Sequence, residues 1–174
     1  MWGQPPSAVQ PSKARRHLLQ SSMRKMAVIH DDDRPPQRHR LKFRRLPGPY
    51  AIVRLASDSP IPIWATKGEF NSITRTTDEL SLVCPTENLP PEVHSPHRWI
   101  CLKLEGPFPF SMTGVLLSFI EPLSTNGIPI FAVSTYDTDY VLIQEEWAGA
   151  AIAGLQHAGH ELWLNDETSR KLIE

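Results

Sequence analysis

Apolar and polar positions change period several times along the chain, and the changes predict its elements. Between Gly127 and Gln144 (GIPIFAVSTYDTDYVLIQ), Ile128, Ile130 and Ala132 alternate with Phe131 and Val133, the period-two pattern of a strand. Val141, Leu142 and Ile143 make a second β-rich run. The polar stretch from Ser134 to Asp139 joins them, more chain than a minimal hairpin needs. Upstream, Pro49–Ala56, Glu69–Thr76, Glu79–Cys84 and Trp99–Glu105 also read as strands. Val115, Leu116, Phe119, Ile120 and Leu123 recur at helical spacing. They predict a helix over 112–126, capped by Ser111 and kinked by Pro122 near its end. Trp147, Ala151, Ile152 and Leu155 mark the buried stripe of a second helix, 146–158. Gly159 is placed to end it as a left-handed cap, and His160–Leu164 is a last strand.

Residues 99–164 therefore follow the order βαββαβ, which predicts a ferredoxin-like sandwich with two helices on one face of an antiparallel sheet. The first half repeats part of this at an offset of 60 residues. Ile73-Thr74 falls on Val133-Ser134, Glu79-Leu80 on Asp139-Tyr140, and Leu82-Val83 on Leu142-Ile143. The expected fold class is α+β, with two ferredoxin-like βαββαβ units, the first degenerate and short of helices. Expected boundaries are a disordered basic leader over 1–42, a first unit over 43–97, a second over 98–164 and a polar tail over 165–174.

Composition changes this picture at the N-terminus. Pro5, Pro6, Pro11, Pro35 and Pro36 interrupt any helix in the first 40 residues, where apolar residues are sparse. Residues 1–45 carry a net charge of +8 and the remainder −9, so the overall −1 hides a basic leader on an acidic body. An acidic body argues against nucleic acid as a partner. The first 30 residues contain no acid, as in a mitochondrial presequence, but the early prolines and the Asp31-Asp32-Asp33 run argue against import. A cytoplasmic location is expected. No apolar run approaches the roughly 18 residues a membrane span needs. Cys84 and Cys101 lie in apolar strand-like runs, as buried thiols do, which argues against a disulfide.

Several strings together carry a resemblance: Leu46-Pro-Gly-Pro-Tyr-Ala-Ile-Val-Arg54, Thr74-Arg-Thr76 with Glu79-Leu-Ser81, Gly114-Val-Leu116, and Ser134-Thr-Tyr-Asp-Thr-Asp-Tyr140 with Gly159-His160. Over about residues 43–164 the chain resembles small tandem ACT-domain proteins, similar to the ACT units of the CASTOR arginine sensors. The resemblance implies sheets paired side by side, a homodimer through those sheets, and an amino acid bound between modules. ACT units usually regulate and do not catalyse, so it implies no enzyme activity and no cofactor. The family's ligand contacts match Ser111, Met112, Thr113 and Gly114 at the helix start, and Thr135, Tyr136, Asp137 and Asp139 in the strand-pair loop. The chemistry of those residues agrees. Free N–H groups at a helix start attract a carboxylate, and an Asp can pair with an ammonium or guanidinium.

The expected function is a non-enzymatic amino-acid-binding regulatory or sensor module. The alternatives are an ACT-fold interaction or dimerisation protein without ligand, and a regulatory subunit of an amino-acid biosynthetic enzyme. Other chemistry is weaker. His94-Ser-Pro-His97 has metal-like spacing, but Pro96 prevents helical presentation and no second pair follows. Asp137-Thr-Asp139 resembles the metal–nucleotide motif of glycosyltransferases, which need a larger nucleotide-binding domain. His157 and His160 flank a helix end, where a cation is favourable.

Overall fold

The computed structural model describes residues 37–163; the leader up to Pro36 and the expected tail lie outside the described residues. The strands are β1 (Lys42–Arg45), β2 (Tyr50–Leu55), β3 (Ser72–Arg75), β4 (Leu80–Pro85), β5 (Trp99–Leu104), β6 (Ile130–Ser134), β7 (Asp139–Gln144) and β8 (Glu161–Leu162). The helices are α1 (Val115–Thr125) and α2 (Ala148–His157). All eight strands join one sheet. β5 is its hub. Along one edge it pairs antiparallel with β7, which also holds β6. Along the other edge it pairs with β2 at Tyr50↔Trp99 and with β1 from Phe43↔Leu104 to Arg45↔Leu102.

From β5 onward the order is βαββαβ, and both helices cover one face. Alternation sorts β5 and β7 cleanly. Ile100, Leu102, Leu104, Val141 and Ile143 point at the helices and meet Val115, Phe119, Leu123, Ala151 and Leu155. Each such side chain stabilises the fold by about 1.5–3 kcal/mol through burial. Phe43 enters this core from β1 and meets Phe119 edge to face, with centroids 5.2 Å apart. Cys101 and Leu142 point the other way and pack with Leu46, Tyr50, Phe70 and Val83. Both cysteines are free and buried. Burial pushes the Cys84 thiol up to about 11 and raises that of Cys101 as well, with Glu69 adding to the latter.

Three features differ from the sequence expectation. First, β1 does not lie with the first half. It sits between β5 and β8, antiparallel to one and parallel to the other. Order also begins before residue 42: Leu41 is buried, Arg38 pairs with Glu121 at 2.8 Å, and the His39 N–H donates to Ser118 Oγ at 3.0 Å. Second, α1 starts at Val115, with Gly114 at its N-cap and no side-chain cap, so Ser111 does not cap it. Glu145–Trp147 likewise form a 3-10 turn before α2. Third, the internal correspondence is shifted by one residue. β4 (80–85) and the 3-10 turn Thr86–Asn88 fall 59 residues before β7 (139–144) and its turn at 145–147. The two hairpins also share a register, closing through Thr76 N–H to Glu79 O at 2.9 Å and Thr135 N–H to Thr138 O at 2.8 Å. In the first half, a single 3-10 turn (Ile63–Thr66) stands where α1 stands in the second.

Both helices end alike. Gly127 and Gly159 take positive φ, and the N–H groups of Ile128 and His160 reach back to the carbonyls of Leu123 and Leu155, both at 3.0 Å. This two-bond cap satisfies carbonyls that a helix end otherwise leaves open. Pro122 stays inside α1 rather than ending it.

Candidate functional site

The β6–β7 turn is held rigidly. Thr135 Oγ1 donates to Thr138 O at 2.7 Å and accepts from Thr138 N–H at 3.3 Å. Such side-chain bonds are why Thr suits a turn. Thr138 is buried, and its hydroxyl donates to Leu104 O at 2.8 Å, anchoring the turn to the end of β5. Ser134 Oγ donates to Asp139 Oδ1 across the first rung of the hairpin. Both residues are in strands, so the connection proper is only Thr135–Thr138.

The segment from β5 to α1 folds against this turn. Phe108 N–H donates to Asp137 O at 2.8 Å. Gly106 permits the approach: a Cβ there would lie 2.5 Å from the same oxygen. Between segment and turn lies a pocket of about 220 Å³. Phe108, Phe110, Met112 and Val115 wall one side; Ser134, Thr135, Tyr136, Asp137, Thr138 and Asp139 wall the other. At its mouth Phe110 and Tyr136 meet edge to face at 5.1 Å, although both are among the most exposed large side chains.

Of the eight residues the resemblance implied, this pocket gathers Met112, Thr135, Tyr136, Asp137 and Asp139. Ser111 is exposed and outside the wall. Thr113 and Gly114 face the N-terminal segment instead. Thr113 O lies 2.9 Å from His39 Nε2, and a Cβ on Gly114 would lie 2.7 Å from Gln37 O. The first N–H groups of α1 have no side-chain partner, and Val115 at the helix start is part of the pocket. Phe108, Phe110, Ser134 and Thr138 were missed. The Gly106-Pro-Phe-Pro-Phe110 string was the available signal, because its prolines fix the backbone that carries two aromatic rings.

A larger cavity of about 740 Å³ lies between α1, α2 and residues 38–39. Its charged groups Arg38 and Glu121 already satisfy each other, and Ala150, Ala153, Gly154 and Ala158 give it a bland floor. The smaller pocket has Asp137, Asp139 and the first residue of α1, Val115, in one lining, so volume is the poorer guide. Among the described residues no three metal-ligating side chains cluster, and His97 instead meets Trp99 edge to face at 6.4 Å. No described helix is long and apolar enough to cross a membrane.

A single sheet, antiparallel except where β1 meets β8, with two helices on one face and a pocket beyond the end of β5, defines an α+β module of ferredoxin-like build. A family model for the ACT domain matches residues 94–157, and a second model, for an N-terminal domain, matches residues 48–92. The chain belongs to the ACT-domain family. It is 47% identical to protein Atu0741 from Agobacterium tumefaciens, known from an X-ray crystal structure; the match covers 73% of this chain and 95% of that one, with a TM-score of 0.69. Protein VC0802 from Vibrio cholerae shares the fold at 18% identity and a TM-score of 0.54, over 69% of this chain and 91% of that one. The human protein CASTOR3P is 31% identical over 91 residues, 45% of this chain and 56% of that protein. The chain thus spans about half the length of that curated relative.

Proposed function

We propose that the chain is a non-enzymatic regulatory module that binds a free amino acid in the pocket between the start of α1 and the β6–β7 turn. The observation that carries the reading is one pocket lined by Asp137, Asp139 and Val115, the first residue of a helix that no side chain caps. The helix N–H groups and positive dipole end suit an α-carboxylate. The aspartates suit the ammonium, and Met112, Val115 and Phe108 suit an apolar stem. In this reading residues 43–97 and 98–164 are two ACT-like units, the first degenerate, with β1 lent across to the second. The shared hairpin register supports that division. The module acts in the cytoplasm, passing ligand occupancy to a partner such as an amino-acid biosynthetic enzyme.

A second reading has its own support. Among the described strands, β3, β6 and β8 each pair on one side only. Open edges accept a further strand, so a homodimer through the sheets is the interaction-module alternative. A thermal-shift screen of the chain against the twenty amino acids separates the two. A ligand at 100 times its dissociation constant stabilises by about 2.7 kcal/mol. Silence from all twenty, with a dimer in sedimentation, favours the second reading.

A further inference from the structure

The chain passes from the 3-10 turn Thr86–Asn88 into β5 through residues 89–98, Leu-Pro-Pro-Glu-Val-His-Ser-Pro-His-Arg. The segment is fastened on both sides of its middle. Val93 N–H donates to Pro90 O at 2.9 Å, and Arg98 O accepts from Glu145 N–H at 2.8 Å. Between these points His94, Ser95 and His97 make no backbone–backbone hydrogen bond among the described residues. Ser95 Oγ donates to His97 O at 2.8 Å, a local tie that lies in solvent. His94, Pro96, His97 and Arg98 are exposed. A loop held by so few bonds opens locally at little cost, so an enzyme can take hold of it without unfolding the sheet.

Ser95 also has particular neighbours in sequence. Pro96 biases it toward an extended backbone and removes the next N–H. A serine presented in this way fits an active site that offers the following residue an apolar seat and no hydrogen-bond acceptor. Three residues on stands the cation Arg98. The sequence has a second Ser-Pro pair, Ser59-Pro60, with neither property. Its third residue on is Pro62, Ser59 N–H donates to Ala56 O at 3.0 Å, and Ser59 O accepts from Arg75 Nη2 at 2.7 Å.

We propose that Ser95 is a phosphorylation site for a proline-directed protein kinase, and that Arg98 holds the phosphate once it is formed. Ser95 Oγ attacks the γ-phosphorus of a nucleoside triphosphate. The Oγ–P bond forms as the bond from that phosphorus to the β–γ bridging oxygen breaks. The hydroxyl proton passes to the kinase's catalytic carboxylate, and the nucleoside diphosphate leaves with the electron pair. The product brings a charge of about −1.5 to −2 to a loop whose single acid is Glu92. Arg98 now donates through Nε to Glu145 at 2.9 Å, with a side chain 61% exposed. Such an exposed pair is weak, so a nearby phosphate competes with Glu145 for the guanidinium. Glu145 opens the turn into α2, so the modification is felt where the second helix begins.

Nothing in this depends on an amino acid in the β6–β7 pocket. The test incubates the full chain with a purified proline-directed kinase, magnesium and ATP, and maps the modified residue by peptide mass spectrometry. One phosphate should appear, on Ser95. Ser95→Ala should abolish it and Ser59→Ala should leave it unchanged. Pro96→Ala and Arg98→Gln should each slow incorporation by about tenfold or more. Both variants should fold, since Pro96 is exposed and Arg98 makes only a surface ion pair. In wild type the Arg98 Nε–H resonance should shift on modification; an unmoved resonance overturns the role given to Arg98. A synthetic peptide of residues 90–100 is the control. Phosphate entering the peptide but not the folded chain means that the fold closes the loop, and overturns the site. Modification at Ser59 in place of Ser95, or no incorporation into chain or peptide, overturns it equally.

Discussion

His160 Nε2 donates to the carbonyl oxygen of Ser118, 3.0 Å away, and Pro122 is the reason that oxygen is free. A residue four positions after Ser118 would normally donate its own N–H there, and proline has none. The other ring nitrogen, Nδ1, accepts from Leu41 N–H at 3.1 Å, so the neutral imidazole is fully satisfied. One buried side chain thus mends a proline break in α1 and ties α1 to the chain entering β1.

A pH dependence follows. Burial lowers the His160 pKa, and the bond to Ser118 offsets this only in part. The unfolded chain, with its ordinary pKa near about 6.5, therefore binds the proton more readily than the folded one. Stability is full above that value and falls as pH drops below it. The melting temperature should decline between about pH 7 and 5, and His160→Gln should flatten that segment of the curve while lowering stability throughout. An identical slope in His160→Gln would assign the decline to other groups.

Phe70 lies flat on Tyr140, with centroids 4.1 Å apart and planes 13° apart. Phe70 precedes β3 and Tyr140 is in β7, so this stack fastens the first half onto the second. Phe70→Ala should cost about 3–5 kcal/mol in urea denaturation. A double-mutant cycle with Tyr140→Ala should give a coupling of about 0.5–1.5 kcal/mol beyond burial. Two separate denaturation transitions in Phe70→Ala would mean that the stack is what makes the halves unfold together.

Arg44 lies between Glu105 (3.2 Å) and Glu69 (3.3 Å), largely shielded from solvent. Arg44 Nε and Glu105 Oε1 are both buried without a well-aligned hydrogen bond, so the contact is one of charge more than of hydrogen bonding. Arg44→Met should cost about 1–3 kcal/mol, because it leaves the partly buried Glu105 carboxylate unmatched. Adding Glu105→Gln should restore most of the loss. A double variant no more stable than the single one would show that Arg44 acts through packing.

The period-two and period-3.6 patterns made β5, α1, β6, β7 and α2 legible, because each presents one apolar face to a single core. β1 was not legible in its place. Four residues, Lys-Phe-Arg-Arg, carry one buried side chain, and nothing local says whether Phe43 belongs to the first core or the second. Long-range pairing decided it. The start of α1 was misplaced because Ser111 has the right chemistry for a cap, whereas Gly114 takes φ = 80° and turns the chain three residues later. The offset of 60 followed similar residues, Leu82-Val83 on Leu142-Ile143; the two hairpins match at an offset of 59, which sets Leu82 against Val141, so similarity of type misled by one position. In the site, the acidic turn was visible as polarity out of proportion to a hairpin. The aromatic wall was not, because Phe108 and Phe110 show no period.

The pocket itself is open to a direct test. Asp139 is half-buried, with one carboxylate oxygen engaged by Ser134 and the other available to a ligand. Removing a buried carboxylate that pairs with a ligand cation typically costs about 2–5 kcal/mol of binding. Asp139→Asn should therefore weaken the amino acid found by the thermal-shift screen by tens-fold or more, while Ser134 can still donate to the amide oxygen and hold the hairpin. Gly106→Ala attacks the same site from the opposite wall without touching a charge. Its Cβ collides with Asp137 O, so the segment carrying Phe108 and Phe110 must move off the turn. It should lower both stability and affinity, since overpacking of this kind typically costs about 1–3 kcal/mol. Thr77→Ala, in the corresponding turn of the first half, should change neither. Calorimetry on folded protein ranks the variants. If Asp139→Asn binds as wild type while Gly106→Ala binds poorly, the ligand sits against the aromatic wall and its ammonium is held by Asp137 instead.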